Sequence, residues 1–147
     1  MSYAGDITVQ TAFDWWQSGE AVLVDVRTDA EREYVGFVPG AVNVAWKQWP
    51  GMAMNPEFDA QILAAAQSPK SPKSPKSPKS PKSPNGRQKV LLLCRSGVRS
   101  VAAAKRATEL GLEAYNLLQG FEGDLDAEGH RGQLGGWRQA GLPWRQL

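Results

Sequence analysis

One cysteine and one histidine stand among the 147 residues, and each scarcity removes a class of protein. A lone cysteine cannot build an internal disulfide framework or a cysteine-rich zinc site, and no second thiol is at hand to resolve an oxidised Cys94 within the chain. His130, in AEGHRG, has no partner at ligand spacing, so no metal is expected and His130 reads as a loop residue. The acidic stretch EGDLDAEG lacks the alternation and terminal Glu of a calcium loop. No apolar run reaches the ~20 residues that a membrane span requires. The N-terminus, MSYAGDITVQTAFDWW, lacks the basic start and apolar core of a secretory signal, so a cytoplasmic, reducing location without membrane attachment is expected.

Acidic residues are missing from residues 68–84, SPKSPKSPKSPKSPKSP, which carry five lysines. Setting those five aside from the 17 basic residues leaves 12 against 15 acidic ones, a balance of −3 in place of the overall +2. The remainder is mildly acidic, which speaks against a folded nucleic-acid surface. Proline at every third position removes amide donors that helix and sheet need, and the tract has no apolar residue with which to offset its ordering entropy. It is expected to be a disordered, low-complexity insertion in a loop of a single domain spanning 1–147, solvated and without a partner.

What is present alternates between short apolar runs and helical patterns. ITVQTAFDWWQSG predicts a helix with Thr8 as N-cap and Gly19 as its stop. AVLVDV (21–26) has the continuous apolar character of a strand buried on both faces. Thr28 and the acids after it suit a helix start. Pro39-Gly40 makes a turn before a second strand at 42–45. Asn55-Pro56 opens a helix with Phe58, Ile62 and Leu63 on one face. After the tract, KVLLL is a strand, VRSVAAAKRATELG a helix ended by Gly111, EAYNLL a strand and GGWRQAGLPW a short helix broken by Gly141 and Pro143. This alternation predicts an α/β domain with a mainly parallel sheet, in which ligands bind beyond the carboxyl ends of the strands. Among the six tryptophans, only Trp46 and Trp49 are candidates for a pocket mouth.

Cys94 sits at such a strand end, in LLLCRSGVRS. Free cysteine is often simply a buried packing residue. Here, however, six residues with a central glycine can curl their backbone amides inward, and the helix that follows aims its free N–H groups at the same point. A sulfur at that focus favours its thiolate form, and Arg95 and Arg99 supply planar donor forks suited to oxyanions. An ionised nucleophile needs no general base, in keeping with the absence of histidine nearby in sequence. Thiolate and oxyanion cradle serve sulfur transfer and phosphoryl transfer alike.

VLVDVRTDAEREYVGFVPGAVNVAW together with VLLLCRSGVRS resembles the rhodanese family of sulfurtransferases, and LLQGFEGDLDAEGHRG and GGWRQAGLPW resemble the tail of its single-domain members. The likeness runs from about Ile7 to Trp144, apart from the repeat. It implies a central, mainly parallel five-stranded sheet flanked by helices on both faces, and no cofactor. It also implies that Cys94 is the catalytic nucleophile and persulfide carrier, with Arg95, Ser96, Gly97, Val98 and Arg99 as the substrate-binding loop. The implied partners are a small anionic sulfur donor and an external acceptor: a thiol, cyanide or a protein. An arginine directly after the cysteine is similar to the thiosulfate-preferring type. Phosphatases of this fold place five residues between cysteine and arginine, whereas Arg95 to Val98 make four. A low-activity sulfur carrier or partner-binding module is the alternative. Asp25 and Arg27 match the family's D-V-R and are expected to form a buried structural pair near the loop. Two positions depart from the family pattern: Phe37 stands where histidine is common, and Glu33 is displaced by one residue.

Overall fold

The computed structural model describes residues 3–28, 31–32, 35–48, 53–67, 88–95, 97–123, 127–129 and 135–145. The elements in chain order are β1 (Gly5–Ile7), α1 (Val9–Ser18), β2 (Ala21–Asp25), β3 (Val42–Asn43), β4 (Lys47–Gln48), β5 (Ala53–Met54), α2 (Phe58–Gln67), β6 (Lys89–Leu93), α3 (Val98–Glu109), β7 (Ala114–Leu117) and α4 (Gly136–Gln139). Five strands form one sheet in the order β1-β7-β6-β2-β3, and every pairing in it is parallel. β4 and β5 make a separate antiparallel ribbon.

Strand periodicity explains the two cores. Val22, Val24, Val90 and Leu92 point to one side of the sheet, where Phe58, Ile62, Ala65 and Ala66 of α2 and Ala103, Ala104 and Ala107 of α3 cover them. Ala21, Leu23, Leu91 and Leu93 point to the other, beneath Val9, Ala12 and Trp16 of α1 and Trp137 of α4. The apolar runs of β2 and β6 are thus buried on both faces, as a parallel sheet between helical layers demands. Alanines on α3 let that helix approach the sheet closely, and each leucine buried opposite contributes about 1.5–3 kcal/mol relative to exposure.

Local signals set most helix ends. The Thr8 hydroxyl accepts the Thr11 N–H at 3.1 Å, and Gly19 takes a left-handed φ of 86° with its N–H on the Trp16 carbonyl. Gln88, which resumes the described chain before β6, donates its N–H to the Ala66 carbonyl at 3.1 Å. The last turn of α2 and the start of β6 therefore meet directly, and both belong to one core. The Ser-Pro-Lys tract lies outside the described residues, as do Glu33, Trp49 and His130.

Three details differ from the sequence expectation. Strand β1, which ends at Ile7 just before the Thr8 cap, was not anticipated, and it pairs with β7 through Gly5–Tyr115, Asp6–Asn116 and Ile7–Leu117. The strand expected at 42–45 is limited to Val42–Asn43. The β4–β5 ribbon was not anticipated, and Trp46 before it packs edge-on against Phe58, with ring centroids 4.9 Å apart.

Candidate active site

The chain winds from β2 outward to β3, then returns to place β6 on the opposite side of β2. The reversal puts the topological switch point of the sheet beyond the ends of β2 and β6, the position where open parallel sheets bind ligands. Asp25 and Leu93 are the paired last residues of these strands, so Asp25, Arg27 and Cys94 all lie at this end of the sheet.

Cys94 is a free cysteine, 1% exposed. Gly97, at φ 107°, caps α3 and donates its N–H to the sulfur at 3.1 Å. A side chain at this φ would be strained, and glycine has none with which to cap the N–H groups of the first turn of α3. Ser100 Oγ lies 3.2 Å from Sγ. The Cys94 and Arg95 carbonyls are held from the other side by the N–H groups of Phe121 (2.8 Å) and Glu122 (2.9 Å). That approach is possible only because residue 120 is glycine: at φ 55°, a Cβ on Gly120 would fall 2.3 Å from the Cys94 carbonyl oxygen. Gly120→Ala is expected to destabilise the domain by about 2–4 kcal/mol, since backbone must move to relieve the contact. Urea unfolding measures this, and a cost below about 1 kcal/mol would show that the cysteine loop is not seated as described.

The arginines of the loop have different surroundings. Arg95 is exposed. Arg99 is partly buried and donates from Nη1 and Nη2 to the two carboxylate oxygens of Glu31, at 2.6 and 2.7 Å. Ser96 is outside the described residues, and Val98 opens α3. Glu31 was not singled out from the sequence, although its signal is the T-x-x-E spacing from Thr28. The Thr28 N–H and hydroxyl both donate to Glu31 Oε1, and the Glu31 N–H donates to the Thr28 hydroxyl, a capping box. Burial raises the Glu31 carboxyl, but the Arg99 hydrogen bonds and charge, with those from Thr28, outweigh it and bring the group down from 4.5 to about 2. Held below its unfolded value, this carboxylate contributes stability that is complete above about 4.5 and lost as pH falls through about 2. Thermal melts of Glu31→Gln should accordingly lose part of the wild-type decline across that acid window. Identical acid profiles for the two proteins would exclude the clamp as a stabilising element.

Asp25 and Arg27 are each 1% exposed. Arg27 donates from Nε to Asp25 Oδ1 (3.0 Å), from Nη2 to Oδ2 (2.8 Å) and from Nη2 to the Gly36 carbonyl (2.7 Å). Its guanidinium lies 4.3 Å over the Phe121 ring, so this pair ties β2 to the segment that backs the cysteine loop. Two further residues escaped the sequence reading. Ser100 directly follows Arg99, and Asn116 is a polar residue inside the otherwise apolar β7; both are buried.

A buried thiol just before a helix, beyond the central strand of a five-stranded parallel sheet, defines an α/β protein with a cysteine-centred loop. The sequence model of the rhodanese-like domain matches residues 9–127, and the chain belongs to that family. The crystal structure of Rv0390 from M. tuberculosis is similar over 99% of both chains, with 43% identity and a TM-score of 0.76. An uncharacterized protein of Rickettsia rickettsii is 31% identical over 91% of each chain. The polysulfide-sulfur transferase homodimer of Wolinella succinogenes shares the fold at 16% identity, with a TM-score of 0.57 over 99% of this chain and 80% of that one. Among the described residues no helix is long and apolar enough to cross a membrane. No group of three or more His, Cys, Asp or Glu among them could hold a metal ion.

Proposed function

We propose that the protein is a sulfurtransferase that carries sulfane sulfur as a persulfide on Cys94, with thiosulfate or a similar small anion as donor. The observation that carries this reading is the sulfur itself, which receives the Gly97 N–H at 3.1 Å at the start of α3. The thiol proton leaves to solvent. The thiolate attacks the outer sulfur of the donor, a Cys94 S–S bond forms, the donor's S–S bond breaks, and sulfite departs with the electron pair. The N–H groups of the loop 95–99 support the negative persulfide. Arg95 meets the incoming anion with its guanidinium, and Arg99 contributes charge while Glu31 holds its two Nη atoms. Cyanide, a thiol or a protein acceptor then takes the outer sulfur and restores the thiolate. The chain's single thiol suits a reducing, cytoplasmic setting, where an external acceptor does the unloading.

One observation favours a second reading. With both Arg99 Nη atoms on Glu31, Arg95 is the guanidinium of the loop without a carboxylate partner among the described residues. A site with one available fork grips a small dianion weakly, which suits a carrier loaded by a protein. Mass spectrometry after incubation with thiosulfate should find one added sulfur atom on the Cys94 peptide, removable by cyanide. Labelling with negligible thiocyanate turnover would identify the carrier. Absence of the label, or a label elsewhere in the chain, would end the sulfurtransferase reading.

A further inference from the structure

A hydrogen-bonded chain leads from the Cys94 sulfur to the edge of the sheet. Sγ contacts Ser100 Oγ at 3.2 Å, Ser100 Oγ reaches Asn116 Oδ1, and Asn116 Nδ2 reaches Asp6 Oδ1 at 3.0 Å. Asp6 Oδ1 also accepts the Tyr3 hydroxyl at 2.8 Å. Ser100 and Asn116 are 0% and 3% exposed, so water does not readily substitute for a missing partner. Asp6 is on the exposed side of β1.

The chemistry of these groups sets the direction of every proton. A carboxylate can only accept, so Asn116 turns its Nδ2 to Asp6 and its Oδ1 to Ser100. An amide oxygen can only accept, so Ser100 commits its one proton to Asn116. What Ser100 then offers Cys94 is a lone pair, and the hydrogen of their contact must be the thiol's own. We propose that Asp6 and Asn116 make Ser100 a positioning residue that holds resting Cys94 as an S–H donor, and that the Ser100 hydroxyl turns to donate to the sulfur when that proton leaves. The turn strands Asn116 Oδ1 in a buried site, so the relay restrains the empty thiol while Gly97 is set to receive the ionised or loaded sulfur. The step moves one proton from Sγ to solvent and no electrons.

Other charges act on the same sulfur. Arg99 on α3 is paired with Glu31, and Asp25 stands at the end of β2 beside the strand that leads to Cys94. Arg95 is exposed beside it. None of these changes in the variants below. The inference rests on Cys94 being the reacting group of the proposed function, but alkylation needs no sulfur donor, so it fails or succeeds separately from persulfide labelling.

The experiment is the rate of iodoacetamide alkylation of this sole cysteine at about pH 7 divided by its rate at about pH 10, which cancels access and reports ionisation. Asn116→Leu frees the Ser100 hydroxyl to donate to sulfur and should raise the ratio about three- to tenfold, the size of one hydrogen bond gained. Adding Ser100→Ala should remove that gain, which a merely structural serine would not do. Asp6→Asn lets the Asn116 amide turn over and should move the ratio the same way. Because the exposed charge of Asp6 is screened by salt, a gain that survives molar salt belongs to the hydrogen bonds. An unchanged ratio in folded Asn116→Leu, or a gain that persists after Ser100→Ala, overturns the proposal. Should Asn116→Leu not fold, Asp6→Asn decides: a gain lost in molar salt, or none, overturns it equally.

Discussion

Thiosulfate turnover in the Cys94→Ser variant is expected to fall by on the order of 10⁴-fold or more, with little change in folding. Serine is the nearest substitute in shape, and its oxygen can keep the Gly97 N–H and the Ser100 contact that the sulfur now has. What it loses is chemical. A serine hydroxyl remains protonated near neutrality, the described residues include no histidine to take its proton, and oxygen does not form a persulfide. A thiocyanate-release assay alongside a thermal melt separates the two effects. Retention of more than about a tenth of the turnover by a folded variant would place the nucleophile elsewhere.

Arg27→Met is expected to cost about 3–5 kcal/mol, the largest stability effect of any substitution near the site. The loss is not the strength of one ion pair. Removing Arg27 strips its partner from Asp25, a carboxylate at 1% exposure, with Arg32 Nε at 3.8 Å as the ionic contact that remains among the described residues. It also removes the donor to the Gly36 carbonyl and the cation over Phe121. Domains of this size are stable by about 5–15 kcal/mol, so such a loss exhausts much of the margin. Pairing Arg27→Met with Asp25→Leu should recover a large part of it, because the uncompensated carboxylate disappears. Urea midpoints for the single and double variants measure this. A double variant no more stable than Arg27→Met would show that packing, not the stranded charge, sets the cost.

The parts of the site that could be read in advance are those written in consecutive residues. LLLC, the glycine at 97 and the helix after it are close in sequence, so the placing of Cys94 at a strand end and helix start follows from local patterns. The count of residues between Cys94 and Arg99 is equally local. Glu31 was harder to find, because its role depends on meeting a side chain 68 positions away. Its capping box was legible, but a capping glutamate is as a rule a local device, and nothing in T-x-x-E announces a second partner. Gly120 is similar: its need for a left-handed backbone and no Cβ arises only because the Cys94 carbonyl comes within reach. Asn116 is a polar residue amid apolar neighbours, a visible oddity whose partners, Asp6 and Ser100, come from other elements.

The class of the fold was decided by periodicity and punctuation. Apolar runs of strand length, helices between them, and the stops at Gly19 and Gly111 require helices packed on both faces of a parallel sheet. β1 could not be decided that way. Gly-Asp-Ile has no alternation and no length, and it becomes a strand only because β7 presents an open edge at Tyr115–Leu117. Hydrogen bonds to a neighbour strand, not side-chain propensity, make it one. That same pairing brings Asp6 opposite Asn116, and so connects the N-terminal residues to the sulfur. Short-range chemistry placed the thiol, and the assembly of the sheet determined which distant groups surround it.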